Sequence, residues 1–413
     1  MKISKNHRLT VWILVALALG LAVGLYVNKT QSSETALLFA SRIRILSVIF
    51  LRLVQMIIAP LVLTTLIAGI AKMGDLKIAG RIGLKSMLWF VSASLVSLFL
   101  GMLLVNFFHP GTGVNLGDVD AEAAKELLGK TGDFSIVKFV EHVFPKSIFE
   151  AMANNEILQV VVFSIFFGIA LTSFGEKGKK IVEMMDILGH IMLKIVTYVM
   201  LFAPFGVFGS VAALIAKYGL GKIGILGTYI GTFYLGLLAL WAVLLLVGFL
   251  ILRKRLFHLL DRIFGPLMIA FSTTSSEAVF TKLTEELERF GCSPKVVSFT
   301  LPLGYSFNLD GSMMYMTFAS IFIAQAYNIP LDTGTQITML LVLMLTSKGI
   351  AGVPRASLVV VTATCAMFNI PPEGIALILP IDHFCDMGRS MTNVLGNALA
   401  TSAVSKWEGQ LKH

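Results

Sequence analysis

Two carboxylates, an arginine and two asparagines recur at helical spacing in the apolar stretch 381–408. The sequence there is IDHFCDMGRSMTNVLGNALATSAVSKWE. On an α-helix of about 100° per residue, one face carries Asp382, Asp386, Arg389, Asn393 and Asn397. Ionisable side chains inside a bilayer cost several kcal/mol each unless they face protein or water. The spacing therefore predicts a helix whose polar face lines a binding site. The alternative is a buried polar network that only holds helices together.

The composition of the whole chain places this helix in a membrane. The 413 residues are 56% hydrophobic and 14% charged, and several apolar runs reach the ~18 residues that span a bilayer. The formal net charge of +9 does not indicate nucleic-acid binding, because the basic residues cluster at helix ends. The three cysteines lie in separate segments without metal-ligand spacing. We therefore predict an all-α polytopic membrane protein.

Basic clusters alternate with apolar segments and predict the orientation of each span. Apolar segments lie at about 10–27, 36–70, 82–108, 158–174, 184–216 and 223–252. Clusters of Lys and Arg at 2–8, 72–85, 177–180 and 253–255 mark the cytoplasmic ends. The polar loop of residues 111–146 is then external, and the N-terminus is cytoplasmic.

After residue 255 the apolar stretches are interrupted. In FGPLMIAFSTTSSEAVFTKL, Thr274 and Glu277 have the spacing of a capping box. The hydroxyl run predicts a re-entrant helical hairpin whose tip offers backbone N–H groups to an anion, as an alternative to an ordinary polar loop. Residues 347–357, SKGIAGVPRAS, contain two glycines and a proline and predict a second hairpin.

A polar motif, GYSFNLDGS at 304–312, breaks the span between the two hairpins. Ser306, Asn308, Asp310 and Ser312 alternate, so a continuous helix would turn some of them towards lipid. In an unwound segment they can face one cavity, and their oxygen atoms suit a hard cation such as Na⁺. Hairpin plus span occurs at 257–327 and again at 336–405, an approximate repeat typical of a transporter's midplane site.

These motifs resemble those of the dicarboxylate/amino acid:cation symporter family, which includes the excitatory amino acid transporters and their prokaryotic homologues. The resemblance covers essentially the whole chain and is most specific in TTSSE, NLDGS, SKGIAGVP and DMGRSMTN, in that order. It implies eight transmembrane segments plus two re-entrant helical hairpins with inverted repeats, in a bowl-shaped homotrimer. It also implies a symporter rather than an enzyme, which imports acidic amino acids by an elevator movement and needs only a coupling cation.

The resemblance further divides the chain into a scaffold and a moving transport domain. Residues 1–77 would hold scaffold segments one and two, and 111–219 would hold segments four and five with the external loop. Residues 78–110 would be transport-domain segment three, and 220–413 the transport core with segment six, both hairpins and the last two spans. The implied partners are an acidic amino acid, membrane lipid and two further copies of the chain, without nucleic acid. Both termini would lie on the cytoplasmic side of the inner membrane.

The family's substrate residues, carried over to this sequence, give each polar group a role. Arg389 would clamp the substrate's side-chain carboxylate through a bidentate pair, Asp386 would receive the α-ammonium, and Ser312 would orient the carboxylate. The other implied positions are Ser390 and Asn393 in the pocket, Ser275 and Ser276 at the α-carboxylate, and Val353 and Pro354 at the gate. Arg355 stands where a glycine is expected. It offers either a second positive group to the substrate or a solvent-facing tip.

Asp386 together with Arg389 favours a zwitterion with an acidic side chain, glutamate or aspartate. C4-dicarboxylate carriers of the family lack a carboxylate at the ammonium-binding position. Succinate would bring a second negative charge towards Asp386, at a cost of several kcal/mol. C4-dicarboxylate:cation symport is therefore the alternative. The remoter alternatives are a passive ion channel and an intramembrane protease that uses Asp310 and Asp386, whose pairing with Arg389 does not fit a shared-proton dyad.

The coupling cation is where this sequence departs from the family. The positions that match sodium-site residues are Gly304, Ser306, Asn308, Asp310, Asn393, Ser94 and Ser347. Asn397 stands where an aspartate is expected, which removes one full negative charge from a cation site. We therefore expect at least one weakened sodium site, with H⁺ as a candidate driving cation carried by Asp310, Asp382 or Asp386.

Overall fold

The described part of the chain is helical throughout. The computed structural model describes residues 5–73, 76–113, 143–154, 156–225, 227–347, 356–371, 374–379 and 381–412. Within these ranges the only extended pairing is an isolated antiparallel bridge between Cys292 and Leu411. The predicted all-α class is confirmed for these residues.

The described part of the first half of the chain forms mostly long helices. They are α1 Lys5–Thr30, α2 Ser33–Met73, α3 Leu76–Phe108, α4 Ile148–Ala153, α5 Ile157–Ser173, α6 Lys179–Val199, α7 Ala203–Ile225 and α8 Gly227–Leu252. The apolar run 184–216, predicted as one segment, is divided between α6 and α7 by a 3₁₀ turn at Met200–Phe202. Hydropathy alone does not reveal this break, because the turn itself is apolar.

The second half consists of shorter helices with interruptions at polar motifs. They are α9 Arg255–Thr273, α10 Phe280–Phe290, α11 Pro294–Phe307, α12 Asp310–Ala326, α13 Thr333–Thr346, α14 Ala356–Met367, α15 Ile375–Ile378 and α16 Asp382–Trp407. Between α11 and α12, Asn308 and Leu309 have non-helical backbone angles (φ −120°, ψ 64° and φ −102°, ψ 64°). The predicted break in this span is therefore confirmed.

Local sequence signals account for several of these helix ends. Thr274 (φ 55°) and Gly291 (φ 110°) adopt the left-handed conformation that terminates α9 and α10. Pro294 begins α11, where its missing N–H is not needed. Asp332 caps α13 by accepting a hydrogen bond from the backbone N of Thr335 at 3.0 Å.

Among the described residues, four helices are long and apolar enough to cross a membrane by length and composition. They lie within α1, α3, α8 and α9, at Val11–Thr30, Gly80–Phe108, Gly227–Leu252 and Arg255–Thr273. On α8 the buried side includes Phe233 and Leu240, whereas Leu238 and Leu250 on the other side are 64% and 69% exposed. An exposed apolar side opposite a packed side is what a helix between protein and lipid presents.

The helices form two packing groups. Helices α1, α2, α5, α6 and α7 pack mainly against one another. Helix α16 is contacted by α3, α8, α9, α11 and α12 and is the centre of the second group. The groups meet where α2 packs against α11 and α1 packs against α9. The polar face of α16 is thereby enclosed by helices on several sides.

Candidate functional site

The polar face of α16 is buried. Asp382, Asp386, Arg389, Asn393 and Asn397 are each no more than 1% exposed. Arg389 heads the fully buried side chains by volume among the described residues. Because a buried charge is costly unless it is paired and hydrogen-bonded, the partners of these groups determine what the site can bind.

The Arg389 guanidinium is held by three helices. Its Nε donates to Asp386 Oδ1 at 2.5 Å, one helical turn away on α16. Its Nη1 donates to Ser312 Oγ of α12 at 2.9 Å and to Ser357 Oγ of α14 at 3.3 Å. The structure therefore brings the predicted residues Arg389, Asp386 and Ser312 together. Ser357 is a contact that sequence reasoning missed.

Ser312 and Asn393 connect α12 to α16 through two hydrogen bonds. Asn393 Nδ2 donates to Ser312 Oγ at 3.0 Å, and the backbone N of Ser312 donates to Asn393 Oδ1 at 3.2 Å. A close backbone approach makes this possible, because a side chain at Gly311 would collide with the Arg389 carbonyl and lie 2.9 Å from Thr392 Cβ. The NLDGS glycine thus sets the register between α12 and α16.

A second polar cluster lies one turn further along α16. Asn308 Nδ2 is 3.3 Å from Asp310 Oδ2 and 3.3 Å from Asn397 Oδ1. Asn308 Oδ1 and Asn397 Nδ2 are buried without a hydrogen-bond partner among the described residues. Gly396 leaves room for this cluster, since a Cβ there would overlap the Asp310 carboxylate. Carboxylate and amide oxygens in a buried cluster are ligands that suit a hard cation.

The other predicted cation-site residues are distributed around this cluster. A Cβ at Gly304 would collide with Asn397 Oδ1, and its carbonyl accepts from the Asn308 backbone N at 2.7 Å. Ser94 Oγ lies 3.5 Å from the Phe307 carbonyl, and Ser306 is 2% exposed. At the C-terminal end of α13, Ser347 Oγ donates a hydrogen bond to the Met344 carbonyl at 3.1 Å. No group of three or more His, Cys, Asp or Glu is arranged to hold a metal in the described ranges.

The hydroxyl run between α9 and α10 is buried at a tight turn. Thr274 Oγ1 donates to the Thr273 carbonyl, and the Ala278 backbone N donates to Ser275 Oγ at 3.3 Å. The predicted capping box is therefore wrong, because the capping hydroxyl belongs to Ser275 and not to Thr274. Ser276 is fully buried, and its carbonyl accepts from Tyr305 Oη at 3.0 Å.

Asp382, at the start of α16, accepts a hydrogen bond from Tyr315 Oη at 2.6 Å. Sequence reasoning missed Tyr315, although it lies three residues after Ser312 and therefore on the same face of α12. Asp382 and Asp386 also line a cavity of ≈390 Å³ together with Arg44 of α2 and Lys217 of α7. The first turn of α16 thus borders the gap between the two packing groups.

The remaining predicted substrate positions are Ser390 on α16 and three residues of the second hairpin tip. Ser390 is fully buried, and its Oγ has no hydrogen-bond partner among the described residues. Val353, Pro354 and Arg355 lie outside the described residues, as does most of the predicted second hairpin tip.

A buried Arg–Asp pair beside an interrupted helix, within apolar helices, defines a class of protein. Such an arrangement is typical of polytopic membrane proteins that bind a polar solute or ion within the bilayer. The sequence model of the sodium:dicarboxylate symporter family matches residues 9–407, and the chain belongs to this family. Its members are secondary transporters coupled to sodium or protons, not enzymes, and they require no cofactor beyond the coupling cation.

Relatives of two functional descriptions align with nearly the whole chain. The C4-dicarboxylate transport protein of Citrifermentans bemidjiense is 41% identical over 405 residues, 97% of this chain and 90% of the relative. The proton/sodium-glutamate symport protein of Geobacillus stearothermophilus is 38% identical over 401 residues, 96% of this chain and 94% of the relative. The protein of the same description from Bacillus subtilis is 37% identical over 404 residues, 96% and 92% of the two chains.

Proposed function

We propose that this protein imports acidic amino acids, L-glutamate or L-aspartate, across the inner membrane together with Na⁺, H⁺ or both. The observation that carries the proposal is the buried Asp386–Arg389 pair. A guanidinium matches a carboxylate through two parallel hydrogen bonds, and a carboxylate matches an ammonium group. One helix therefore offers complementary groups for both ends of a zwitterion with an acidic side chain.

The neighbouring polar residues complete the proposed pocket. Ser312 and Asn393 already hydrogen-bond to each other, and Ser312 also contacts Arg389, so a carboxylate on Arg389 would come within reach of both. In this proposal the rest of the substrate contacts come from Ser390, Ser275, Ser276, Val353, Pro354 and Arg355.

C4-dicarboxylate:cation symport is the second candidate. It is favoured by the relatives described as C4-dicarboxylate transport proteins, one of which is 41% identical to this chain. Asp386 argues for the amino acid, because a dicarboxylate has no cationic group to place beside it. Desolvating two facing carboxylates without a counter-charge is strongly unfavourable.

The proposed architecture has eight transmembrane segments and two re-entrant hairpins, α9–α10 and α13–α14, in a homotrimer with both termini in the cytoplasm. The scaffold would comprise residues 1–77 and 111–219, and the moving part 78–110 and 220–413. The separate packing of α1, α2, α5, α6 and α7 from the helices around α16 supports this division. A sliding movement of one group along the other would give elevator-type alternating access.

The proposed cation site is the cluster of Asn308, Asp310 and Asn397, with Asn393, Ser94, Ser347 and carbonyls near Gly304 and Ser306. An amide at position 397 supplies an oxygen ligand but no negative charge, so Na⁺ binding is weaker than with two carboxylates. Uptake into proteoliposomes under separately imposed Na⁺ and pH gradients tests the coupling. Asn397→Asp should lower the half-saturating Na⁺ concentration about tenfold or more, because it adds one charge beside the ion. The exposed Asn369→Asp is the matched control and should change nothing.

Removal of the Arg389 charge tests the substrate assignment. Arg389→Gln should weaken L-glutamate and L-aspartate binding by two orders of magnitude or more, since loss of one partner of a buried pair costs roughly 3–5 kcal/mol. Binding is measured by calorimetry on purified protein, with the half-exposed Arg289→Gln as control. Unchanged glutamate affinity in Arg389→Gln would show that another residue clamps the carboxylate.

Saturable, gradient-driven accumulation separates a carrier from a passive channel.

A further inference from the structure

Three of the five N–H donors of Arg389 already donate to described residues. A guanidinium has five N–H donors, and here the Nε–H is used by Asp386 and both Nη1–H by Ser312 and Ser357. A carboxylate that binds in bidentate fashion needs Nη2 together with either Nε or Nη1. A substrate carboxylate must therefore displace Asp386 or one of the two serine hydroxyls.

The proposed contact of Asp386 with the α-ammonium selects Asp386 as the group that leaves. The total charge of the pocket, which is no more than 1% exposed, is the same in either case, and only the pairing differs. If the substrate carboxylate replaces Asp386 at Nε, Asp386 is released to pair with the α-ammonium, and each charged group has a partner of opposite charge. If it replaces a serine hydroxyl, two carboxylates share one guanidinium and the ammonium group shares Asp386 with it, a poorer pairing in a desolvated site.

We infer that the substrate carboxylate displaces the Asp386 carboxylate from Arg389. The displaced Asp386 then determines whether a proton must bind together with the substrate. The α-ammonium of an amino acid neutralises Asp386 directly. A C4-dicarboxylate has no ammonium, and it binds together with one proton that Asp386 takes from solution. This inference rests on the proposed function, and it allows one site to accept both substrate classes.

The surroundings of Asp386 are consistent with proton uptake at this carboxylate. A C4-dicarboxylate brings one more negative charge than a zwitterionic acidic amino acid, and one proton restores the same total charge. Among the described residues, titratable and charged groups near Asp386 are Asp382, Cys385 and Arg389 on α16, Tyr234 on α8 and Tyr315 on α12. The ≈390 Å³ cavity beside Asp386 also contains His383 and the exposed side chains of Arg44 and Lys217. Asp386 therefore lines the same cavity as two basic side chains that reach the surface.

Proton counting by calorimetry on the wild-type protein tests the inference without any substitution. Fumarate is the probe, because it is fully ionised near neutral pH and cannot itself deliver the proton. At saturating Na⁺, binding heats in buffers of different ionisation enthalpy should show about one proton taken up with fumarate and none with L-aspartate. The fumarate Kd should fall as the pH decreases, by up to tenfold per pH unit for one proton bound with each ligand, whereas the L-aspartate Kd stays constant.

Two substitutions assign the proton to a residue. In Asp386→Asn, fumarate should bind without proton uptake and with a pH-independent Kd. In Asp261→Asn, which changes an exposed carboxylate on α9, the uptake should remain. A pH-independent fumarate Kd in the wild type, uptake that persists in Asp386→Asn, or binding of L-aspartate but never of fumarate would each overturn the inference and leave the proposed function standing. Binding of neither ligand would overturn both.

Discussion

At the scale of single residues, one hydroxyl group positions the first carboxylate of the α16 polar face. Tyr315 is fully buried and donates to Asp382 at 2.6 Å. A hydrogen bond from a neutral donor to a buried carboxylate is charge-assisted, and its loss leaves part of the desolvation cost of the charge uncompensated. Tyr315 therefore contributes to stability through its hydroxyl as well as through its ring.

Removal of this hydroxyl should destabilise the protein. Tyr315→Phe keeps the ring, so the loss of about 1–3 kcal/mol is assigned to the hydrogen bond, and the melting temperature of the purified protein reports it. Tyr229→Phe is the matched control. Tyr229 is also buried against aromatic rings, but its hydroxyl has no partner among the described residues. Equal effects of both substitutions would show that the Asp382 contact contributes nothing.

Sequence periodicity was sufficient for contacts within one helix and insufficient for contacts between helices. The pairing of Asp386 with Arg389 follows from a three-residue spacing on α16. The contacts of Arg389 with Ser357 and of Asp382 with Tyr315 join residues that are far apart in sequence. Such contacts depend on how α12 and α14 pack on α16, and no local pattern specifies that packing.

At the scale of elements, the break between α11 and α12 allows a close crossing with α16. Two helices can approach this closely only where one lacks a side chain, and Gly311 provides that position against the Arg389 carbonyl. The break itself was predictable from the alternating polar residues of 304–312. The exact turn between α9 and α10 was not, because both Ser and Thr hydroxyls can bond to a nearby backbone N–H, and the one that does so here is Ser275.

A methyl group at this crossing should separate the two helices. Gly311→Ala places a Cβ 2.9 Å from Thr392 Cβ and against the Arg389 carbonyl, so overpacking should cost about 1–3 kcal/mol. Substrate affinity should fall as well, because the Ser312–Asn393 hydrogen bonds lie next to the displaced backbone. Thermal unfolding and calorimetry measure the two effects.

Gly231→Ala on α8 provides the control for the intrinsic effect of the substitution. A Cβ at Gly231 meets nothing within 4 Å, and replacing a helical Gly with Ala stabilises by roughly 0.5–1 kcal/mol. The two substitutions should therefore have opposite signs. If Gly311→Ala also stabilised the protein, the close crossing of α12 and α16 would not exist in solution.

At the scale of the whole molecule, the C-terminal residues connect several helices of the group around α16 through hydrogen bonds and ion pairs. Glu408 accepts hydrogen bonds from Arg81 of α3, the shortest 2.7 Å, and from Lys85 at 2.6 Å. Lys406 Nζ donates to the Ile251 carbonyl at the end of α8, at 2.6 Å. Arg255 donates to the Lys412 carbonyl at 2.6 Å. These contacts fasten α3, α8, α9 and α16 at one end, which suits a group of helices that would move as one body.

The contacts of Glu408 with Arg81 and Lys85 depend on pH, because they require an ionised Glu408 carboxylate. Hydrogen bonds from Arg81 and Lys85 lower the pKa of Glu408 below its ordinary value of 4.5, although its partial burial acts in the opposite direction. A carboxyl group with a lowered pKa in the folded protein stabilises the fold fully above its unfolded pKa. This stabilisation is lost as the pH falls through the folded pKa.

Glu408→Gln should therefore destabilise the protein near neutral pH and lose its effect in acid. At about pH 7 the melting temperature should fall by a few degrees, because the amide keeps the shape but removes the charge that Arg81 and Lys85 share. Between about pH 5 and pH 3 the two melting curves should converge. The control is Glu176→Gln, since Glu176 is 83% exposed and its pair with Lys179 should contribute little. If the difference in melting temperature between wild type and Glu408→Gln stayed constant down to pH 3, the substitution would act through packing and not through the ion pairs of Glu408.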